Sequence, residues 1–337
     1  MSKQRFPSVA LAGDGDQAQQ WAAALRGQAK VCPLPEQLPA EIDALIIAPG
    51  VNNPFARAKE ALVAGVPVLY AAPFLLSPWQ ATTLHRLSSR QGRLLRFAEK
   101  FQHRRGFTFL RRLLEGDEPF WRPLYLRSIR LVPPETSTRI DELATEELAI
   151  CQALLDSAPQ QVSATASHSD AVGNVCAAFL TIQYRDGPPV QCTISVAEAS
   201  SAHQLIAVTS GRTVILDELD PIAPLRVIGA GEQETYTASP PESSTAADRD
   251  FMVKEIEQFL QAVSQDNRSF DNSERWANVA ALWWAARQSM SFGGPVDVPN
   301  PFFLPRDTVP PPFTVIRGGG KTASAAGKRP ALTVVAS

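Results

Sequence analysis

A short glycine turn near the amino terminus is the first feature of the sequence with residue types suited to chemistry. Gly13 and Gly15 follow an apolar run, SVALA at 8–12, with the spacing GxGxxA. Glycines in these places permit a tight turn and bring the backbone close to a pyrophosphate at a helix N-terminus. Asp14 and Asp16, however, put carboxylates where phosphate charges would sit, and like charges repel. The turn is either a phosphate site contacted by Gly13, Asp14 and Gly15, or a strand-to-helix turn capped by Asp16.

Two further stretches carry polar groups that suit a binding cleft. The stretch FAEKFQHRRGFTFLRRLLEG at 97–116 predicts a basic-aromatic helix. Its Gln102, His103 and Arg104 are candidate pocket residues, since arginine suits carboxylate or phosphate recognition; a solvated helix face is the alternative. The stretch DELATEE at 141–147 holds Glu142 and Glu146 one helical turn apart, so that Glu146 could act as a base. The alternative there is a solvated acidic stretch that suits a helix N-terminus.

The remaining histidines and the cysteines show no spacing typical of metal ligands. His85, His168 and His203 are predicted to be ordinary surface or interface residues. The four scattered cysteines are predicted to be small buried hydrophobes in a reducing cytoplasm. No apolar run approaches the roughly 18 residues of a membrane span. A net charge of −2 supplies no basic field, so we expect no metal, no membrane and no nucleic acid.

The 337 residues are enough for two domains. Short strands are predicted over 8–12, 30–34, 42–48 and 66–70, with helices over 17–25, 54–64 and 77–91. Strands that alternate with helices of this length indicate βαβ units and a parallel sheet. From Leu124 onward strand patterns dominate, which indicates an α+β unit with a large, mostly antiparallel sheet. Helices are predicted there over 141–156, 250–263 and 273–289.

These patterns divide the chain into a parallel-sheet domain over 1–122, an α+β domain over 123–304 and a loose tail over 305–337. The helices around 250–290 are expected to pack back toward the first domain. Pro49 and Asn52, which follow the strand at 42–48, and Pro73, which follows the strand at 66–70, are counted with the glycine turn as candidate cofactor contacts.

Three ordered stretches resemble the glucose–fructose oxidoreductase/inositol dehydrogenase (Gfo/Idh/MocA) family. The first, from IDALIIAPG to RQGRLLRF at 42–97, is similar to its strand–helix run with the segment ALxAGxxVLxEKP. The others are RRLLEGDEPFWRPLYLRSIRL at 111–131 and the closing stretches FMVKEIEQFLQAV and SERWANVAALWWAARQSMSFGGPVDV. The resemblance implies a Rossmann-like domain, a second domain with a large sheet, and NAD(P)-dependent oxidation or reduction of a sugar or cyclitol.

The catalytic positions that the resemblance implies have changed. The family's Glu-Lys-Pro falls on Ala71-Ala72-Pro73. That lysine contacts the substrate hydroxyl and the nicotinamide, and alanine cannot donate to either. The family's His/Asp pair falls on Glu146 and Ala149, so that no catalytic residue is retained and Glu146 is the candidate substitute base.

The nucleotide-binding unit is also shorter than the resemblance implies. Only 16 residues separate Arg26 from Asp43, where the family has two strands and a helix. The strand at 30–34 matches the family's third strand better than its second, which predicts that a strand–helix unit with the ribose-contacting residue is missing.

We therefore expect a family member that has lost hydride transfer and acts as a ligand-binding or partner protein in the cytoplasm. NAD(P) is a doubtful cofactor on this interpretation. The alternative is an active NAD(P)-dependent oxidoreductase that uses Glu146 and Arg104. A small-molecule ligand, a homo-oligomer formed through the second domain's sheet, or an active paralogue are the expected partners.

Overall fold

The computed structural model of the chain describes residues 6–33, 42–72, 75–116, 122–134, 139–168, 175–220, 224–229, 233–236 and 244–303. Pro73 and the tail at 305–337 lie outside these residues, so their predicted roles are untested.

The first half of the chain forms a five-stranded parallel sheet in the order β2-β1-β3-β4-β5. Its strands are β1 (Ser8–Ala12), β2 (Lys30–Pro33), β3 (Ala44–Ile47), β4 (Val68–Tyr70) and β5 (Leu95–Phe97). Helices α1 (Gly15–Leu25), α2 (Pro54–Val63) and α3 (Pro78–Gln91) connect them. The strands β3, β4 and β5 are buried along their whole length, as short apolar runs predict for a sheet covered on both faces.

Local sequence fixes where these helices begin. Asn53, in the left-handed region at φ 54°, accepts a hydrogen bond from the Ala56 backbone N–H through its side chain. Ser77 and Gln80 form a reciprocal capping box at the start of α3. Each cap satisfies backbone donors that the first helical turn leaves without partners.

The strand β2 lies beside β1. It pairs in parallel with β1, with Ser8 opposite Lys30. Doubly wound sheets of the classic order place a second and a third strand on this side of the first strand. The match of 30–34 to the family's third strand, with one unit missing, stays a prediction, because a single strand on this side pairs with β1 under either match. In the described part of the chain no strand lies outside β2.

The second half forms a nine-stranded sheet in the order β13-β12-β11-β10-β6-β9-β8-β7-β14. Only the pair β6 and β9 is parallel among the described pairs. The strands are β6 (Pro123–Leu131), β7 (Pro159–His168), β8 (Val175–Tyr184), β9 (Val190–Ser195), β10 (Ala202–Thr209), β11 (Arg212–Asp217), β12 (Leu225–Gly229), β13 (Gln233–Tyr236) and β14 (Val296–Asp297). The predicted fold class, a Rossmann-like parallel sheet joined to a large mostly antiparallel one, is confirmed.

Four helices surround this second sheet and join it to the first. They are α4 (Arg105–Leu114), α5 (Ile140–Leu155), α6 (Ser244–Ser264) and α7 (Ser273–Phe292). Helix α5 packs on β6, β8 and β9, and α7 packs on α3, α5 and β7. Helix α6 packs on α1, where the rings of Trp21 and Phe251 meet edge to face at 6.2 Å. Helix α6 thus lies against the first sheet, and α7 contacts both sheets through β5 and β7.

The two faces of the nine-stranded sheet differ in burial. On β10, His203, Leu205 and Ala207 are buried, whereas Gln204, Ile206 and Val208 alternate with them and stay partly exposed. We call the second of these faces the open face. Its partly exposed apolar side chains on neighbouring strands are Tyr125, Ile206, Val208, Ile215 and Ile228.

The side chain of Asn272, just before α7, completes the bonding of strand β5. It accepts a hydrogen bond from the Phe97 backbone N–H and donates one to the Phe97 carbonyl, each at 2.8 Å. Both backbone groups of this strand residue are therefore satisfied by one amide.

Candidate functional site

The carboxyl ends of β1, β3, β4 and β5 meet at one edge of the parallel sheet. Strand β2 lies on one side of β1 and β3 on the other, so the chain connections diverge between β1 and β3. Ligands of open parallel sheets bind at such a point. The glycine turn, the turn at Pro49, and Ala72 all follow strands at this edge.

The glycine turn has the backbone geometry that a pyrophosphate cradle requires. Gly13 and Gly15 have φ values of 153° and 78°, in a region that side-chain-bearing residues rarely adopt. Helix α1 begins at Gly15 directly after the turn, and Asp14 is its N-cap residue. The Asp14 side chain makes no capping hydrogen bond. The first backbone N–H groups of α1 are therefore not satisfied by this cap, which suits an anion.

The alternative that assigned the cap to Asp16 was wrong. Asp16 lies inside the first turn of α1, where its carboxylate suits the helix dipole but does not cap the helix. Asp14, Gly15 and Asp16 are all exposed. Both carboxylates therefore stand in solvent beside the N–H groups that would receive a phosphate.

The turn after β3 packs directly against the glycine turn. A Cβ on Gly50 would lie 2.5 Å from the Asp14 carbonyl oxygen, and Gly50 has φ 89°. A Cβ on Gly13 would lie 3.1 Å from the Pro49 carbonyl oxygen. The structure thus brings Pro49 next to the glycine turn. Asn52 is exposed on the surface just before α2.

Ala72 stands two residues after β4 with only a methyl group to offer. The side chain is half-buried and packs against the hydrophobic core. Behind this strand end, Tyr70, Phe97 and Trp276 form an aromatic row with ring centroids 5.1 and 5.6 Å apart. Burial raises the pKa of the Tyr70 hydroxyl far above its ordinary value, so the phenol is neutral and not a proton acceptor.

The predicted pocket residues Gln102 and His103 are engaged in internal contacts. Gln102 donates to the Glu99 carboxylate at 3.0 Å, which also accepts from the indole of Trp276 at 2.9 Å. His103 Nε2 lies 2.7 Å from the Glu255 carboxylate of α6. That carboxylate is fully buried, and it also accepts from the guanidinium of Arg96.

The buried position of Glu255 has a consequence for its charge. Burial alone would raise its pKa, but the hydrogen bond from His103 and the charge of Arg96 outweigh burial and lower it. Glu255 is therefore an anion that anchors α6 to the segment after β5.

Arg104 faces the second sheet instead. Its guanidinium donates to the Glu218 carboxylate, which follows β11. Burial would lower the pKa of Arg104, but Glu218, Glu146 and Glu147 outweigh burial and raise it. The structure thus places two of the predicted pocket residues, Arg104 and Glu146, in each other's electrostatic field. Glu146 itself is half-buried on α5.

A buried charged group that the sequence analysis missed lies behind Arg104. His203 Nδ1 is 2.6 Å from the Glu218 carboxylate, and His203 Nε2 is 2.8 Å from Glu147 of α5. The second contact is close but poorly aligned for a hydrogen bond, so it is an ion pair. Ser128 of β6 donates its hydroxyl to the other oxygen of Glu147.

Protonation follows from these contacts. Burial would lower the pKa of His203, but Glu147 and Glu218 outweigh it and raise the pKa to about 9. For Glu147 and Glu218 burial acts in the opposite direction, toward a higher pKa, and is again outweighed, so that both pKa values are lowered. The three groups are ionised together near neutral pH.

The prediction that His203 is an ordinary surface or interface residue was wrong, because its side chain is 1% exposed. The alternating pattern of the strand sequence AHQLIAVT indicates that this side chain is buried. His203 is in phase with Leu205 and Ala207, which face the core. Nothing in the sequence shows that Glu147 and Glu218 meet it there, since they are 56 and 15 residues away in the chain.

Among the described residues there is no cluster of three or more His, Cys, Asp or Glu side chains that could hold a metal ion. None of the helices in the described ranges has both the length and the apolar character of a membrane span.

Solved structures with a similar fold define the class of protein. Its members join a parallel sheet of the dinucleotide-binding type to a second domain that contains a sheet. UDP-N-acetylglucosamine 3-dehydrogenase from Acidithiobacillus ferrooxidans is similar over 84% of this chain and 97% of its own, with TM-score 0.70 and 19% identity. An Agrobacterium radiobacter oxidoreductase, solved with NAD+, L-tartaric acid and magnesium, is similar over 87% and 98%, with TM-score 0.73 and 17% identity.

Levoglucosan dehydrogenase, solved with NADH and L-sorbose, is similar over 88% of this chain and all of its own, with TM-score 0.72 and 14% identity. The fold of this chain is that of the Gfo/Idh/MocA-type oxidoreductases. No sequence-family model and no curated protein matches the chain.

Proposed function

We propose that this protein is a member of the Gfo/Idh/MocA family that no longer transfers hydride and serves as a ligand-binding or partner protein. One observation carries the proposal. Ala72 offers no donor at the end of β4, and the polar side chains of the segment after β5 are bound in internal contacts with Glu99, Glu255 and Glu218.

The positions that correspond to the family's His/Asp pair, Glu146 and Ala149, support the same proposal. Hydride transfer to or from a carbonyl needs a donor that polarises the oxygen and a group that moves the proton. Ala149, at the position of the family's aspartate, is fully buried in the core of α5. Of the two positions, only Glu146 keeps a carboxylate, and this side chain is partly exposed.

The glycine turn fits a pyrophosphate through its backbone, although its side chains oppose one. A nicotinamide cofactor would supply the hydride chemistry when bound. Gly13, Asp14 and Gly15 would hold its phosphates on the N-terminus of α1, with Pro49 and Asn52 beside them. Asp14 and Asp16 repel the same phosphates, so we propose weak NAD(P) binding.

The alternative is an active NAD(P)-dependent oxidoreductase with rearranged catalytic residues, and one observation favours it. Arg104 and Glu146 interact electrostatically, and Arg104 keeps its charge although it is partly buried. An arginine beside a half-buried carboxylate could orient a hydroxyl or carbonyl group of a substrate and accept its proton.

Titration of the purified protein with NADH and NADPH, followed by nicotinamide fluorescence and calorimetry, tests the proposal. We expect weak binding and no turnover of sugars or cyclitols, while circular dichroism shows an intact fold. Tight binding together with turnover would establish the alternative. In that event Glu146→Gln must abolish turnover, whereas Glu142→Gln, one turn earlier on α5, must leave it unchanged.

We further propose that the protein acts in the cytoplasm as a homo-oligomer or beside an active paralogue. The open face supports an oligomer, since its apolar side chains lie together on four neighbouring strands, β12, β11, β10 and β6. Patches of this kind on a sheet face commonly mark protein interfaces.

A further inference from the structure

His203 lies between two carboxylates that come from different elements. Glu147 belongs to α5 and Glu218 follows β11, and their oxygens are 2.8 and 2.6 Å from the two ring nitrogens. A neutral imidazole carries one N–H group and one bare nitrogen. A neutral ring would therefore point a lone pair at one of the two carboxylates. The two short contacts with carboxylates therefore favour a doubly protonated ring.

Six charged groups from five places in the fold form a network of electrostatic interactions that includes this ring. We call them the joint cluster: the cations Arg104, Arg130 and His203, and the carboxylates Glu146, Glu147 and Glu218. Arg130 is opposite His203 on the neighbouring strand β6. Positive and negative charges balance only while His203 is protonated. Loss of its proton leaves an excess carboxylate in a region where Glu147 is fully buried.

The joint cluster lies where the chain passes from one sheet to the other. Strand β5 ends the parallel sheet, α4 follows, and β6 begins in the nine-stranded sheet. Arg104 immediately precedes α4 and binds Glu218. Helix α4 itself packs on β11, where a Cβ on Gly106 would lie 2.5 Å from a methyl group of Leu216.

We propose that the joint cluster is a charge-dependent lock: protonated His203 holds the start of α4, helix α5 and the end of β11 together, and its deprotonation releases α4 from the second sheet. This inference does not depend on the proposed function, because it concerns the joint between the two sheets and requires no ligand.

The direction of the pH dependence follows from the neighbours of the ring. Glu147 and Glu218 outweigh the effect of burial and raise the pKa of His203 to about 9. The lock is therefore closed through the neutral range and opens in alkaline solution. Ser128, which donates to Glu147, is neutral and does not change this balance.

The first test measures the protonation of the His203 ring directly. The chain has four histidines, so ¹⁵N-histidine labelling gives a simple spectrum, and His203→Gln assigns the signal. At about pH 7.5 we expect both ring nitrogens of His203 to show the shifts of protonated nitrogen. Two unequal shifts, as in a neutral tautomer, would overturn the proposal.

The second test measures the release of α4 from the second sheet. Hydrogen exchange detected by mass spectrometry, corrected for the intrinsic effect of pH, should show the protection of 105–114 falling about tenfold or more between pH 8 and pH 10. His203→Gln should already show the lower protection at pH 8. His85→Gln, which changes a histidine on α3, is the matched control and should behave as the wild type does.

A second variant serves if His203→Gln does not fold. In Glu218→Gln, an amide replaces one of the two carboxylates, so the loss of protection should shift to lower pH by about one unit or more. Protection of 105–114 that does not change with pH in the wild type, or that changes equally in Glu218→Gln, would overturn the lock.

Discussion

The ionisation of His203 couples the free energy of unfolding to pH. Its pKa is about 9 in the folded chain against an ordinary value of 6.5. A raised pKa means that the stabilisation is complete below about pH 6.5 and is lost as pH rises toward 9. We expect the free energy of unfolding to fall by about 3 kcal/mol across this range. Urea unfolding at several pH values measures it.

The variant His203→Gln is the control for this prediction. It should be less stable than the wild type near pH 6 and should lose most of the decline between pH 6.5 and pH 9. An equal decline in both proteins would assign the effect to other groups. Glu147 and Glu218 act in a different window, because their lowered pKa values lose stabilisation only in acid, below about pH 4.5.

The two aspartates of the glycine turn are expected to set the affinity for a dinucleotide. Replacing Asp14 and Asp16 by asparagine removes two exposed carboxylates beside the N-terminus of α1 and leaves the turn glycines in place. We expect NADH to bind about tenfold more tightly to the double variant, as measured by nicotinamide fluorescence. Asp186→Asn, in an exposed turn of the second sheet, is the control and should have no effect.

At the scale of residues, the sequence predicts features that backbone conformation alone determines. It does not predict contacts between side chains that are distant in the chain. The glycine turn could be predicted because glycine spacing reports φ directly. The contacts of Gln102, His103 and Arg104 could not be predicted. Their partners, which are Glu99, Glu255 and Glu218, are set by how α6 and β11 pack. Only the proximity of Arg104 to Glu146 follows the prediction.

Helix α6 illustrates how one buried charge can attach an element. Glu255 is fully buried and joins Arg96 and His103, whereas Glu257, two residues later, is exposed. We expect Glu255→Gln to lower the free energy of unfolding by about 3 kcal/mol, because the buried guanidinium of Arg96 loses its anion and His103 loses its carboxylate partner. Glu257→Gln on the same helix should change it by less than about 0.5 kcal/mol.

Thermal and urea unfolding of both variants, with circular dichroism to verify the helix content, check this expectation. Equal effects of the two substitutions would show that the buried ion pairs do not anchor α6.

Most secondary structure of the parallel sheet could be predicted because short apolar runs and helix caps act locally. The helices predicted over 17–25, 54–64 and 77–91 agree with α1, α2 and α3 within two residues. The neighbour of β2 could not be predicted, because a four-residue strand carries too little pattern to say which strand it pairs with. The structure pairs it with β1.

For the molecule as a whole, the open face is expected to be an interface between two copies of the chain. Ile206→Glu on this face would place a charge among apolar side chains of both copies. We expect this variant to sediment as a monomer and the wild type as a dimer in analytical ultracentrifugation. Val63→Glu, which changes a more exposed hydrophobic residue on α2, should leave the wild-type state unchanged.

The two outer strands of the parallel sheet have a bearing on aggregation. An outer strand with unused backbone groups is a template on which a second chain can add a strand. Strand β2 ends in Pro33, which has no backbone N–H to offer. On the opposite side, the Asn272 amide already occupies both backbone groups of Phe97. Both margins therefore have fewer backbone groups to offer to another polypeptide, so we expect the sheet to resist fibre formation at high protein concentration.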